Sequence, residues 1–328
     1  MMMHIRPFTW IKHGLVFEPS KHKRPWMNEF TQGPATLIFD DFVRVYFSCR
    51  PPADDKGQYV SYSSYVDLDR KNLKKILRVA DHPVMPLGNR GCFDEFGVYP
   101  FSIIRDNDKI RAYYGGWTRC ESVPFNVAIG CAISHDDGKT FDRLGEGPII
   151  SYSPDEPFIM SGPKIRKFGN KYFLYYIAGS EWIMHNGRAE PIYRIRLAIS
   201  DDGISWTKIN RDLISPRIED KECQASPDVI FVDGVYHMFF CYRRSVDYRQ
   251  KDGGYRIGYA HSPDGISWTR NDDLVGIDIS NDGWDAEMVA YPHVFSLDGK
   301  IHMFYLGNGV GREGFGLATL DGYLGGAI

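Results

Sequence analysis

The sequence predicts an all-β chain, a five-bladed β-propeller with four antiparallel strands per blade, and three observations carry that prediction. A hairpin motif recurs five times, each copy opened by a proline: Pro34, Pro100, Pro163, Pro227 and Pro292. The spacings are 66, 63, 64 and 65 residues, and one motif at a near-constant spacing is the mark of radial repetition. A second hairpin with an Asp-Gly turn follows in the middle repeats, entered by Ile129 to Ser134, Ile195 to Ser200 and Ile257 to Ser262. Its returning strand carries Phe141, Trp206 or Trp268. Finally, Phe8 to Phe17 repeats the pattern of the outer strands that begin at Ser205 and Ser267, and so supplies the strand that the fifth repeat lacks. Pairing the two ends inside one sheet closes the ring and leaves no open edge.

The clearest single unit runs from Glu222 to Arg244. A β-branched apolar run, Val229 to Val232, meets an Asp233-Gly234 turn and returns as an aromatic, alternating strand from Val235 to Tyr242, the pattern of a tight hairpin. In an antiparallel hairpin the first strand's start and the second strand's end share an edge, so Glu222 is expected beside Arg243 and Arg244. The same run, turn and aromatic strand follow the other prolines over 35–47, 101–114, 164–176 and 293–305. Leu68 to Val79 reads as part of blade one's second hairpin rather than as a helix. One domain is expected over 1–328, with blades near 26–90, 91–155, 156–218, 219–280 and 281–328, the last completed by 5–18.

Composition narrows the function. Aromatic residues make up 14% of the chain and the formal charge is −3. With no basic stripe, a nucleic-acid partner is not expected. Cys49, Cys120, Cys131 and Cys241 fall in or beside strands without metal spacing, where a free thiol behaves as a small apolar group. No apolar signal core and no run of membrane-spanning length is present, so the expected location is cytoplasmic, with no membrane partner. No cofactor and no metal are expected.

The chemistry-bearing residues stand at the ends of the predicted inner strands. Five positions before the proline come Glu29, Glu95, Glu222 and Glu287, while the third repeat has Phe158 there and Glu156 displaced by two. Inner strands converge on the axis, so these carboxylates are expected to face one opening. Crowded carboxylates split into a proton-bearing acid and an ionised base, the pair that glycoside cleavage needs. The alternative role is to hold backbone N–H groups at each strand entrance. The second-strand exits differ between blades as specificity positions do: Arg50; Trp117 and Arg119; Glu181 and Trp182; Arg243 and Arg244; Asn308. Arginine binds carboxylate, phosphate or sugar hydroxyls through its fork, and tryptophan offers a face to a sugar ring. Asp228 and His293, just after their prolines, are further axial candidates.

Together the repeat, the opening carboxylates and the Asp-Gly hairpins resemble the five-bladed propeller glycosidases, the superfamily of glycoside hydrolase families 32, 43, 68, 117 and 130. The resemblance spans Trp10 to Leu320. It implies a glycan or oligosaccharide substrate in a central funnel and axial carboxylates acting as base, acid and pKa modulator. Many of those enzymes place an acid one or two residues before the strand-opening proline. Here those positions hold Gln32 and Gly33, Val98 and Tyr99, Ser161 and Gly162, Ala225 and Ser226, and Ala290 and Tyr291. Ser134, Asp136, Gly138 and Phe141 fit the Asp-box turn of sialidase propellers, a peripheral feature.

The expected activity is glycoside processing, with Glu95, Glu222 and Glu287 as acid and base and Glu29 as their electrostatic neighbour. Glu95 and Glu222 lie on non-adjacent blades, which suits the wider carboxylate separation of an inverting enzyme. Arg50, Arg119, Arg243 and Arg244 make phosphate a candidate partner and phosphorolysis the alternative to hydrolysis. The chain is also similar to propeller-like domains attached to some sugar-transfer enzymes, which implies a glycan-assembly role. A non-catalytic carbohydrate-binding propeller is the remaining alternative.

Overall fold

The computed structural model describes residues 7–249 and 252–324. Its strands form five four-stranded antiparallel sheets. The N-terminal strand is β1 (Thr9–Phe17). Blade one follows as β2 (Glu29–Ile38), β3 (Phe42–Arg50), β4 (Tyr62–Asp69) and β5 (Asn72–Val79). Blade two is β6 (Gly97–Asp106), β7 (Lys109–Arg119), β8 (Phe125–Ser134) and β9 (Asp142–Arg143). Blade three is β10 (Met160–Phe168), β11 (Lys171–His185), β12 (Arg188–Ser200) and β13 (Thr207–Lys208). Blade four is β14 (Cys223–Val232), β15 (Val235–Arg243), β16 (Arg256–Ser262) and β17 (Thr269–Arg270). Blade five consists of β18 (Ala290–Leu297), β19 (Lys300–Leu306) and β20 (Phe315–Asp321), with β1 as its outer strand. Trp10 pairs with Leu320 across that closure. The expected blade ends at 5–6 and 325–328 lie outside the described residues. Among the described residues no helix is long and apolar enough to cross a membrane.

The turns follow from local chemistry. Asp233 and Gly234 both have positive φ, 48° and 83°, the backbone of the tight hairpin turn whose twist matches the flanking strands. The Asp-Gly turns at the periphery are tied by their own side chains. The Ser134 hydroxyl lies 2.8 Å from Asp136 Oδ1, which accepts the Thr140 N–H at 2.9 Å. Each such turn also latches the preceding blade. Tyr46, Tyr113 and Tyr175 donate to the carbonyls of Gly138, Gly203 and Gly265 at 2.6, 2.8 and 2.9 Å. A Cβ on Gly138 would stand 2.1 Å from the Tyr46 hydroxyl, so the latch requires glycine.

Every inner strand breaks its register at the proline. The irregularities fall between Gln32 and Ala35, Val98 and Phe101, Ser161 and Lys164, Ala225 and Asp228, and Ala290 and His293. Proline lacks the N–H that the ladder needs, and an extra residue is accommodated as a bulge. The preceding residue is left-handed at Gly33, Gly162, Ser226 and Tyr291, whereas the Tyr99-Pro100 bond is cis. The bulge divides each inner strand into a segment facing one opening of the ring and a segment that enters the axis.

Beyond the bulges the axis is closed by a polar plug. Asp228, fully buried, accepts from Lys164 Nζ at 3.1 Å and His293 Nδ1 at 2.7 Å and pairs with Arg166. Lys164 also donates to the Pro34 carbonyl at 3.0 Å. The Thr36 N–H donates to His293 Nε2 at 3.0 Å, which fixes the imidazole as the neutral tautomer protonated at Nδ1. Burial raises the Asp228 carboxyl, but Arg166, Lys164 and His293 outweigh it and hold the group ionised far below the usual carboxylate range. Burial dominates at His293 and lowers its pKa from 6.5 to about 4, against the opposing pull of Asp228.

The plug makes stability pH-dependent. Between pH 6.5 and about 4 the unfolded chain protonates this histidine while the folded chain keeps it neutral, so stability rises with pH across that window. The full span corresponds to about 3 kcal/mol. Thermal unfolding should therefore show Tm falling as pH is lowered through this window, with a shallower fall in His293→Gln. An identical slope in the variant would contradict the assignment.

Candidate functional site

Of the four glutamates expected at the axis, Glu29 stands behind the funnel wall, paired with the lining residue Arg312, and the other three lie away from the opening. Their positions precede or begin the inner strands, and local segments capture them there. Glu222 is fully buried, bonded to Arg270 at 2.7 Å, to Gln224 Nε2 at 2.8 Å and to the Arg217 and Ile218 N–H groups at 3.0 and 3.1 Å. Glu95 accepts the Gly91 N–H at 2.9 Å, Glu29 sits 3.5 Å from Arg312, and Glu287 is exposed.

A different carboxylate set repeats, and its role is structural. Asp94 meets Arg143 at 2.8 Å, Glu156 meets Lys208 at 2.7 Å, Glu222 meets Arg270 at 2.7 Å and Asp285 meets Lys12 at 2.8 Å. In three of these blades the carboxylate also accepts a second-strand tyrosine: Tyr114 at 3.1 Å, Tyr176 at 2.8 Å and Tyr305 at 3.0 Å. Each cation belongs to the blade's outermost strand, so the pair clamps that strand to the inner-strand entrance. Glu156, which looked displaced, is blade three's clamp.

The opening itself is a funnel of about 940 Å³. Of the expected exit residues, Arg50, Trp117, Arg119 and Arg243 line it. Trp117 closes against Gly97, where a Cβ would lie 1.7 Å from the indole nitrogen. The other expected residues face elsewhere. Glu181 pairs with Lys221 at 2.9 Å, Arg244 with Glu219 at 3.3 Å, and Trp182 packs on Phe125. Asn308 accepts the Glu287 N–H at 2.8 Å and donates to the Gly283 carbonyl at 3.0 Å. Asp228 and His293 do reach the axis, as the plug.

Among the described residues, six arginines and a single carboxylate line the funnel: Arg50, Arg119, Arg188, Arg243, Arg249 and Arg312 against Glu190. Glu190 comes from the β11–β12 hairpin, whose Asn186-Gly187 turn has both residues at positive φ and extends the pairing through Ile183 and Glu190 to His185 and Arg188. Its carboxylate accepts from Tyr248 at 2.9 Å and Arg249 at 2.9 Å and lies 3.4 Å from Arg188. Burial raises this carboxyl, but the bonds from Arg249 and Tyr248 and the two guanidinium charges reverse the effect, leaving it below its ordinary value. At neutral pH it is ionised. Burial pushes the Tyr248 phenol up to about 12.

Arg243 forms the floor. It is 1% exposed, donates to Tyr193 and Tyr255 at 3.2 and 3.1 Å and to the Arg244 and Ser245 carbonyls at 2.7 and 3.0 Å. Its guanidinium carbon lies 3.6 Å from the centre of the Tyr248 ring. No carboxylate among the described residues pairs with it. Neutral oxygens and ring faces solvate the cation without cancelling it, so the floor is electropositive. The sequence reading missed Arg188, Glu190, Tyr193, Tyr248, Arg249, Tyr255 and Arg312. The Asn-Gly turn and the long strands around it were the available signal for Glu190; Tyr248 and Arg249 occupy an irregular connection.

The structural assignment of Glu222 is testable. Removing one member of a buried pair costs about 3–5 kcal/mol, and the second carboxylate on Arg270, Asp272 at 2.8 Å, places Glu222→Gln at the low end. The variant should lose several degrees of Tm and, where folded, bind funnel ligands as the parent does. Lost ligand response at unchanged Tm would return Glu222 to the site.

No family model matches the chain. An uncharacterized protein found in two strains of Mycobacterium tuberculosis is 36% identical over 314 residues, covering 95% of this chain and 99% of that one. A beta-1,2-mannobiose phosphorylase of Thermoanaerobacter is 23% identical over 143 residues, 40% of this chain and 44% of the enzyme. Among solved structures, a glycoside hydrolase superposes with a TM-score of 0.72 at 18% identity, covering 97% of this chain and 93% of that one. The chain thus belongs to the family of the mycobacterial protein, on a five-bladed propeller fold that it shares with that glycoside hydrolase.

Proposed function

We propose that the chain is a glycan-processing enzyme that works in the funnel by phosphorolysis, with Glu190 as its proton donor. The observation that carries this reading is the imbalance of six arginines over one carboxylate in the funnel lining. Inverting hydrolysis uses two carboxyl groups, one to protonate the leaving oxygen and one to activate water. Phosphate brings its own nucleophilic oxygen and its own charge, so one carboxyl suffices, and arginine forks match it. The likeness to a mannobiose phosphorylase supports the same choice, and a β-linked manno-oligosaccharide is the first substrate to try.

The reaction balances with hydrogen phosphate as co-substrate. A phosphate oxygen bonds to the anomeric carbon, the glycosidic C–O bond breaks, and the leaving oxygen takes a proton through Glu190, while hydrogen phosphate loses one. A sugar 1-phosphate results, with inversion from the single displacement. Glu190 is ionised at rest because Arg249 and Arg188 hold it so; phosphate drawing on the same guanidiniums releases the carboxyl to take up a proton.

A second reading rests on that same ionised, arginine-bound carboxylate: a carbohydrate-binding propeller without turnover. Both are separated by incubating the purified protein with manno-oligosaccharides and aryl glycosides, with and without inorganic phosphate. Phosphorus NMR should show a sugar 1-phosphate only in the presence of phosphate, and Glu190→Gln should slow its formation roughly 10²- to 10⁴-fold. Equal sugar release in phosphate-free buffer contradicts phosphorolysis; saturable binding with no product supports the binder.

A further inference from the structure

Besides the arginines that meet Glu190, the funnel wall built by blades one, two and five carries a second cationic group. Arg50 ends β3, Arg119 ends β7, and Arg312 precedes β20. Phe30 is flanked by two of them, with the Arg50 and Arg312 guanidinium carbons 4.8 and 5.3 Å from its ring centre. Arg50 also lies 5.3 Å from the Tyr59 ring. Arg119 stacks on Phe96 at 4.2 Å and donates to the Tyr59 carbonyl at 2.9 Å. Glu29, 3.5 Å from Arg312, is the carboxylate paired with this wall. Neither Arg50 nor Arg119 has a carboxylate partner among the described residues, and Arg50 Nε is buried with no hydrogen-bond partner.

A guanidinium stacked on aromatic faces keeps its N–H edge free for a planar or tetrahedral anion. A buried N–H with no acceptor is costly, so the wall is incomplete as it stands. A neutral saccharide offers hydroxyls, which accept from arginine but cancel no charge. From the three guanidiniums, the single carboxylate and the orphaned Nε, we infer that this wall is a subsite for an anionic group carried on the saccharide itself, a sugar carboxylate or a sugar phosphate. The inference rests on reading the funnel as a saccharide site and adds its substrate class: the bound sugar carries a negative charge that meets this wall.

The test is calorimetric, on the full chain, with glucose, glucuronate, glucose 6-phosphate and inorganic phosphate as separate probes. Each charge-assisted hydrogen bond gained over a neutral one is enough for about a tenfold change in Kd. Glucuronate or glucose 6-phosphate should therefore bind at least about tenfold more tightly than glucose. Arg50→Gln should erase that preference while leaving glucose binding in place, and Arg50→Lys should restore part of it. If Arg50→Gln does not fold, the parent protein decides by salt: the charged sugars must lose affinity as ionic strength rises and glucose must not. Equal affinity for neutral and charged sugars overturns the inference. So does Arg50→Gln weakening inorganic phosphate alone, which would make the wall a free-phosphate site. Sugar release indifferent to phosphate would remove phosphorolysis and leave the charged-sugar preference standing, so the two failures are distinguishable.

Discussion

The ring depends on one repeated interaction, a buried carboxylate at the inner-strand entrance paired with a cation on the outermost strand. Those outer strands are short: Asp142–Arg143, Thr207–Lys208 and Thr269–Arg270 contain two residues each. Two residues make too few ladder bonds to hold a strand. In all three the second residue is the clamp cation, so an ion pair replaces missing backbone pairing. Such a pair adds little net stability against an apolar substitute, but breaking it strands a charge in the interior, which enforces a single arrangement of blades two to five. In blade five the same clamp joins Lys12 to Asp285, and therefore also fastens the N-terminal strand to the far end of the chain.

The second constraint is the proline-centred bulge. It reverses which side of the inner strand meets the axis, so residues after the proline pack into a plug and residues before it, such as Gln32, Tyr99, Ser161 and Tyr291, line the funnel. The plug holds its buried charge by pairing Asp228 with two cations and a neutral histidine. The funnel does the opposite: Arg243 is solvated by tyrosines and carbonyls with its charge left uncancelled. One end of the axis is thus sealed around an ion-paired carboxylate, and the other is open and positive.

The fold was legible in the sequence because its determinants are local and repeated. A proline, an apolar run, a short turn of Asp, Asn or Gly and an aromatic strand recur at each blade, and Trp10 marks the outer strand that closes the ring. The carboxylates were misread for a physical reason. Repetition in sequence signals a shared local job, and Glu222 does in its blade what Asp94, Glu156 and Asp285 do in theirs. The offset from proline varies between these four, so aligning on the proline selected Glu95 and Glu287, neighbours of clamp residues Asp94 and Asp285. Residues that make the funnel distinctive are those that do not repeat. Glu190 appears once, on a hairpin longer than its counterparts, and Tyr248 and Arg249 stand on an irregular connection with no period to betray them. Arg50, Trp117, Arg119 and Arg243 could be placed at the funnel because strand ends are predictable even when their neighbours are not.

We propose that ligand chemistry belongs to the arginine-lined funnel around Glu190, and not to the repeated carboxylates at the strand entrances. A crystal structure of the protein with a manno-oligosaccharide at saturating phosphate tests it most directly. Sugar density is expected in the funnel, between Glu190 and the Arg50 wall, with the Glu222–Arg270 and Asp285–Lys12 clamps unchanged. Sugar bound against Glu95, Glu222 or Glu287, or a clamp opened to receive it, would contradict it.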